Sequence, residues 1–180
     1  MSSPRGLEPG DFAAYFELPD AKSSGIKVTL SSFENCGGVI MFTCNHCPYV
    51  IASEERIESI ASLCRNNGLM FVGINSNDPV VYPSDDWSNM VKRAESMTYP
   101  YLHDEDQSVA HLYGAERTPE FYLIDRNKNI VYRGRLDNSP RDPNEVTSSE
   151  LVDAITSMLA GEMVSVSRTD SIGCSVKWKE

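Results

Sequence analysis

Two cysteines separated by two residues, Cys44 and Cys47, stand in the stretch VIMFTCNHCPYV (39–50). Asn45 and His46 lie between them, an apolar run precedes them and Pro48 follows. Two intervening residues let the sulfurs meet over one helical turn. One thiolate can then attack a partner's disulfide, and the other thiol can resolve the mixed disulfide. The apolar run reads as a strand end and the residues after it as a helix start. Amide N–H groups and the positive end of the helix dipole favour a thiolate at such a junction. That environment takes a thiol from about 8.5 into the range of roughly 3.5 to 7.5. His46, if protonated, would favour a neighbouring thiolate further. Pro48 complicates the assignment. Proline is comfortable at the first helical position, so a helix that opens at Pro48 makes Cys47 the N-cap and gives the dipole to it instead of to Cys44.

The elements around the pair follow from pattern. GVIMFT (38–43) and LMFVGINS (69–76) are continuous apolar runs of the kind that form strands buried on both faces. KVTLSSF (27–33) alternates like a strand. A helix is expected from about Pro48 to Asn67, with Val50, Ile57, Ile60, Ala61 and Cys64 on one face and Gly68 as its stop. A second is expected over 85–97, capped by Ser84 and striped by Trp87, Met90, Val91 and Ala94. DEDQ (104–107) resembles a capping box for a short helix ended by Gly114, and TSSE (147–150) for a last helix with Leu151, Ile155, Met158 and Leu159 buried. FYLID (121–125) and IVYRGRLD (130–137) flank RNKN as a hairpin. Strands alternating with helices predict an α/β fold in three layers, a mixed central sheet with helices on both faces. Residues 1–14, rich in Ser, Pro and Gly, are expected to fray, and 15–180 to form one domain.

These motifs together carry a resemblance. FELPD, VTLSSF, a strand running into CxxC, YGAERTPEFYLID and IVYRGRLD occur in the order of the thioredoxin-like superfamily. More narrowly, they are similar to its redoxin branch of thiol-disulfide oxidoreductases and peroxiredoxins, over about residues 15–138. The resemblance implies a thioredoxin fold, Cys44 as nucleophile and Cys47 as resolving thiol. It also implies a cis Pro119 facing the pair, with Thr118 offering backbone to an incoming peptide. The extra length over about 77–106 resembles the redoxin insertion, and about 162–180 forms a tail. No prosthetic group is implied. The implied partners are protein or small-molecule disulfides and a reducing system such as thioredoxin or glutathione. The chain departs from thioredoxin twice: Thr43 stands where a tryptophan usually precedes the first cysteine, and Gly38 stands where a buried acid lies six positions before it. Proton transfer would then need water or another group, with Glu120 as a candidate or otherwise a solvated carboxylate.

Two rival chemistries weaken on inspection. A peroxiredoxin carries Thr-x-x-Cys after a proline. Here Thr43 is adjacent to Cys44 and one residue too far from Cys47, and residues 39–42 are VIMF. A structural zinc site needs four ligands, usually as two spaced pairs, and one pair is present, with His46 and distant Cys174 as makeshift additions. Cys174 alternates with Ile172, Val176 and Trp178 as on a half-buried strand, or it is a third redox thiol brought by the tail. Cys64 falls on an apolar helix face, Cys36 in a turn. His103 and His111 have no evident partner, and Arg135, Asp137 and Arg141 could form a polar recognition surface. A formal net charge of −10, from 16 basic and 26 acidic residues, argues against nucleic acid or an anionic membrane as partner. The N-terminus has no apolar signal region and five cysteines suit thiol chemistry better than a disulfide framework. A cytoplasmic or other reducing location is therefore expected.

Overall fold

Residues 5–180 are described by the structure, a computed structural model. In chain order its elements are β1 (Glu17–Pro19), β2 (Lys27–Thr29), β3 (Gly38–Thr43), α1 (Pro48–Asn66), β4 (Met70–Asn75), α2 (Trp87–Ala94), β5 (Tyr101–His103), α3 (Ser108–Tyr113), β6 (Arg117–Thr118), β7 (Glu120–Ile124), β8 (Ile130–Gly134), α4 (Glu150–Leu159) and β9 (Cys174–Ser175). Five strands form the central sheet in the order β5-β4-β3-β7-β8. β3, β4 and β5 run parallel, while β7 lies antiparallel to β3 and β8 antiparallel to β7. The sheet is mixed, as its sequence pattern requires.

The uninterrupted apolar runs exist because both faces are covered. Val39 and Met41 of β3 and Phe121 and Leu123 of β7 pack against Ile57 and Ile60 of α1, Met90 and Ala94 of α2, and Leu151 and Ile155 of α4. Their alternates, Ile40, Phe42, Tyr122 and Ile124, pack against Val109, Ala110 and Tyr113 of α3 and against Phe16, Leu18, Leu30 and Phe33. At about 25 cal/mol per Å² of apolar surface, these two layers are the main source of stability. Cys64 is fully buried in the first layer, and burial pushes its thiol up to about 12.

Several local expectations shift. The 27–33 strand ends at Thr29, whose hydroxyl accepts from Ser31 N–H and starts a 3-10 turn. The helix expected from 85 begins at Trp87. Pro83–Asp85 make a 3-10 turn, and Asp86, not Ser84, caps by accepting from Asn89 N–H at 2.8 Å. DEDQ is no capping box: Gln107 flanks α3 with φ +65°, and Asp104 reaches forward to Val109 and Ala110 N–H. TSSE does not cap either, because Glu150 is drawn to Arg135. The hairpin turn forms as expected, with the Asp125 carboxylate accepting from Asn127 and Asn129 N–H and Lys128 at φ +67°. Residues 1–4 lie outside the described residues. The rest of the expected frayed N-terminus is held: Leu7 N–H donates to Tyr113 O, Gly10 to Ile130 O and Ala13 to Lys128 O, at 2.8–3.0 Å. Among the described residues, no helix is long and apolar enough to cross a membrane.

Candidate active site

β3 delivers Cys44 to the end of the sheet, and α1 starts four residues later, at Pro48. Pro48 occupies the first helical turn and Cys47 is the N-cap, with extended backbone at φ −66° and ψ 124°. The positive end of a 19-residue helix therefore lies against Cys47 rather than Cys44. The peptide bond between Thr118 and Pro119 is cis. Thr118 bridges the pair: its carbonyl oxygen is 3.2 Å from Cys47 Sγ and its hydroxyl 3.6 Å from Cys44 Sγ. Both thiols are only 4% exposed.

The two sulfurs have opposite environments. Cys47 is lowered to about 4, chiefly because Cys44 S–H donates to its thiolate. Burial opposes this, while the Cys174 thiol, Val50 N–H and Cys174 N–H add to it. No side-chain hydrogen bond caps the first turn, so its unpaired N–H groups stay open to negative charge on Cys47. Cys44 moves well above the ordinary thiol range. It keeps its proton for Cys47 and is buried; the Thr118 hydroxyl opposes these two, and the negative charge of Asp85 adds a smaller upward push. The resemblance implies Cys44 as the activated thiol, whereas the hydrogen bond from Cys44 and the N-cap position favour the charge on Cys47.

Asp85 is the buried acid of the site, and sequence reasoning missed it. At Gly38, where the resemblance expects an acid, φ is +154° and a Cβ would fall 2.1 Å from Met70 O, so no side chain fits. Asp85 comes instead from the turn between β4 and α2. Its Oδ1 accepts from Asn45 N–H (2.8 Å) and Asn75 Nδ2 (2.9 Å), and its Oδ2 from Asn77 Nδ2 (3.1 Å). The signal was the polar run NSND directly after a buried strand at the same end of the sheet. Asn45 is buried too, donating to Ser84 O and accepting from Tyr101 Oη at 2.6 Å, so it clamps the loop. His46 is exposed and makes no hydrogen bond to either sulfur. Thr43 is buried with its hydroxyl unpartnered.

Glu120 is neither solvated nor free to relay protons. It is 1% exposed, accepts from Glu116 N–H at 2.8 Å and pairs with buried Arg133 at 3.1 Å. The expected surface of Arg135, Asp137 and Arg141 is largely spent internally: Arg135 pairs with Glu150, Asp137 with Arg56, and Arg141 lies over the Tyr49 ring. His103 stacks on Trp87 and His111 on Trp178. Cys36 sits at the far end of the sheet, partly buried. Cys174 is beside the pair, packed with Cys44, Cys47 and Val50. Among the described residues no group of three or more His, Cys, Asp or Glu is arranged to hold a metal ion.

The model of the Redoxin family matches residues 8–154. The chain belongs to the redoxin family. An uncharacterized conserved protein from Geobacillus kaustophilus is 40% identical, with 95% of this chain and 92% of that one covered and a TM-score of 0.88. A hypothetical protein from Sinorhizobium meliloti 1021 is 35% identical, with 97% of each chain covered and a TM-score of 0.89. More distant chains share the fold alone. They include the thioredoxin domain of a thiol-disulfide oxidoreductase from Bacteroides vulgatus (18% identity, 71% and 89% covered, TM-score 0.58) and a peroxidoxin from Mycobacterium tuberculosis (24%, 86% and 95%, 0.58). No curated protein matches the sequence. Fold and family make this a thioredoxin-like redox protein.

Proposed function

We propose that the protein is a thiol-disulfide oxidoreductase working through Cys47 and Cys44. The supporting observation is geometric: two thiols at the opening of α1, bridged by Thr118 at 3.2 and 3.6 Å, next to cis-Pro119. Cys47 thiolate attacks one sulfur of a substrate disulfide, forming a Cys47 mixed disulfide and releasing the other half as thiolate. Cys44 then loses its proton, with the departing thiolate or water as acceptor, and attacks Cys47 Sγ. The Cys44–Cys47 disulfide closes, the second thiolate leaves, and two electrons have passed to the substrate. Keeping Cys44 protonated until the mixed disulfide forms prevents it from competing as first nucleophile. Stabilising the Cys47 thiolate also stabilises the dithiol against the disulfide, which raises the reduction potential of the pair and moderates its power as a reductant.

The cycle needs no prosthetic group. Its substrates are protein or small-molecule disulfides and thiols, and a thioredoxin or glutathione system in a reducing compartment such as the cytoplasm would return the pair to its starting state. The test equilibrates the protein across ratios of reduced to oxidised glutathione, traps free thiols by alkylation and maps each cysteine by mass. A Cys44–Cys47 disulfide that opens and closes reversibly is expected. A pair that never closes sinks the reading, and peroxide consumption that survives loss of Cys44 would replace it with a peroxidase.

A further inference from the structure

Cys174 opens β9, and its register partner across the antiparallel pairing with β6 is Thr118, the residue bridging Cys44 and Cys47. The contact is built from both sides. Gly173 passes so close to β6 that a Cβ there would fall 2.0 Å from Thr118 O, so the chain reaches this register only with glycine at 173. Beyond Cys174, Val176 N–H donates to Glu116 O at 3.0 Å. Lys177 N–H donates to Asn77 Oδ1 at 2.9 Å, and its carbonyl accepts from Asp78 N–H (2.9 Å) and Gln107 Nε2 (2.8 Å). Lys179 N–H donates to Gln107 Oε1 at 2.9 Å, and the Trp178 ring stacks on His111 at 4.2 Å. Such fastening holds a third sulfur against the other two in the small cluster of Cys44, Cys47 and Val50.

We propose that Cys174 is a second resolving thiol for Cys47, so that the protein closes either a Cys44–Cys47 or a Cys47–Cys174 disulfide. The proposal rests on the exchange function above. With Cys47 in a mixed disulfide, Cys174 gives its proton to solvent and its sulfur attacks Cys47 Sγ. The bond from Cys47 to the substrate sulfur breaks and that sulfur leaves as thiolate. The two electrons received by the substrate come from Cys47 and Cys174. Attack by Cys44 on Cys47 Sγ then moves the disulfide inward and frees Cys174, with no net change in electrons. Burial, and after it the neighbouring Cys47 thiolate, raise Cys174 to about 11 in the dithiol state, and the second of these causes disappears once Cys47 is in a mixed disulfide.

The test uses the full chain carrying Cys44→Ser, mixed with oxidised glutathione, quenched at intervals, alkylated and mapped. A glutathione adduct at Cys47 is expected to appear and convert to a Cys47–Cys174 disulfide. Adding Cys174→Ser should prolong that adduct at least about tenfold. An adduct equally long-lived with and without Cys174 overturns the proposal and leaves the exchange function standing. If no adduct forms at Cys47 in either variant, the exchange function fails and takes the proposal with it. Where circular dichroism shows Cys44→Ser unfolded, the wild type decides: a Cys47–Cys174 peptide pair must occur at some glutathione ratio, and its absence at all of them overturns the proposal.

Discussion

Cys44 leaves a strand whose backbone groups are committed to β4 and β7, whereas Cys47 stands over the uncommitted N–H groups that open α1. Behind Cys44 lies a carboxylate, Asp85, and around Cys47 lie donors: Cys44 S–H, the Cys174 thiol and N–H, and Val50 N–H. Identical thiols three positions apart thus become a proton reservoir and a nucleophile. The difference teaches that the donors gathered around one sulfur, Cys44 S–H first among them, place the charge of this CxxC on Cys47, and that the helix opening at Pro48 leaves the same sulfur at the N-cap.

The sharpest way to break that contrast is to remove each sulfur in turn. Cys47→Ser should cut the rate of first attack on oxidised glutathione at least about a thousandfold, because the activated thiolate is lost. Cys44→Ser should leave that first attack within about threefold, since a serine hydroxyl still donates to the Cys47 sulfur. Rapid-quench mapping of adducts checks both. If Cys44→Ser is the variant that cannot form an adduct, the assignment is reversed.

Next in size is the pH profile. A thiol lowered to about 4 is ionised above that pH and loses its charge only as pH falls through it. Alkylation of Cys47 by iodoacetamide should therefore stay nearly flat from pH 8 to pH 5, where an ordinary thiol would slow about a thousandfold. Any stability gained from the ionised thiol has the same sign: it is full above the unfolded thiol's range and fades as pH falls toward 4. A tenfold drop in rate per pH unit starting near pH 8 would show that Cys47 is not activated.

The contrast was only partly legible in the sequence. The two-sided burial of β3 and β4 followed from unbroken apolar runs, and the position of the pair followed from the strand ending at Thr43. The possibility that Pro48 hands the dipole to Cys47 was also visible, but spacing alone could not choose against the resemblance. β5 escaped because a strand of three residues has no period to read, whereas the alternation around Cys174 marked β9. Glu120 was misjudged because its partner, Arg133, lies on the next strand, although an arginine inside the apolar run IVYRG hinted at a buried pair. Asp85 was hidden for a similar reason: Ser84, Asp85 and Asp86 all suit a helix cap, and only the fold shows that Asp86 caps while Asp85 turns inward to Asn45, Asn75 and Asn77.

Asp85 therefore supplies the smallest and most discriminating change. Asp85→Asn keeps the shape but removes the negative charge that helps hold the proton on Cys44. Cys44 alkylation at pH 8, measured in a Cys47→Ser background to remove the competing thiol, should rise by roughly twofold to tenfold, one pKa unit corresponding to a tenfold change in thiolate. The substitution also has a structural cost. An amide has one acceptor oxygen, so its NH2 must face either Asn77 Nδ2 or the donors Asn45 N–H and Asn75 Nδ2. Leaving a buried donor unpaired costs about 1–3 kcal/mol, so denaturant unfolding should show a loss of that size. Stability that falls while Cys44 reactivity stays unchanged would make Asp85 a clamp for the loop and nothing more. The burial of Cys44 and its bond to Cys47 would then account for its retained proton by themselves.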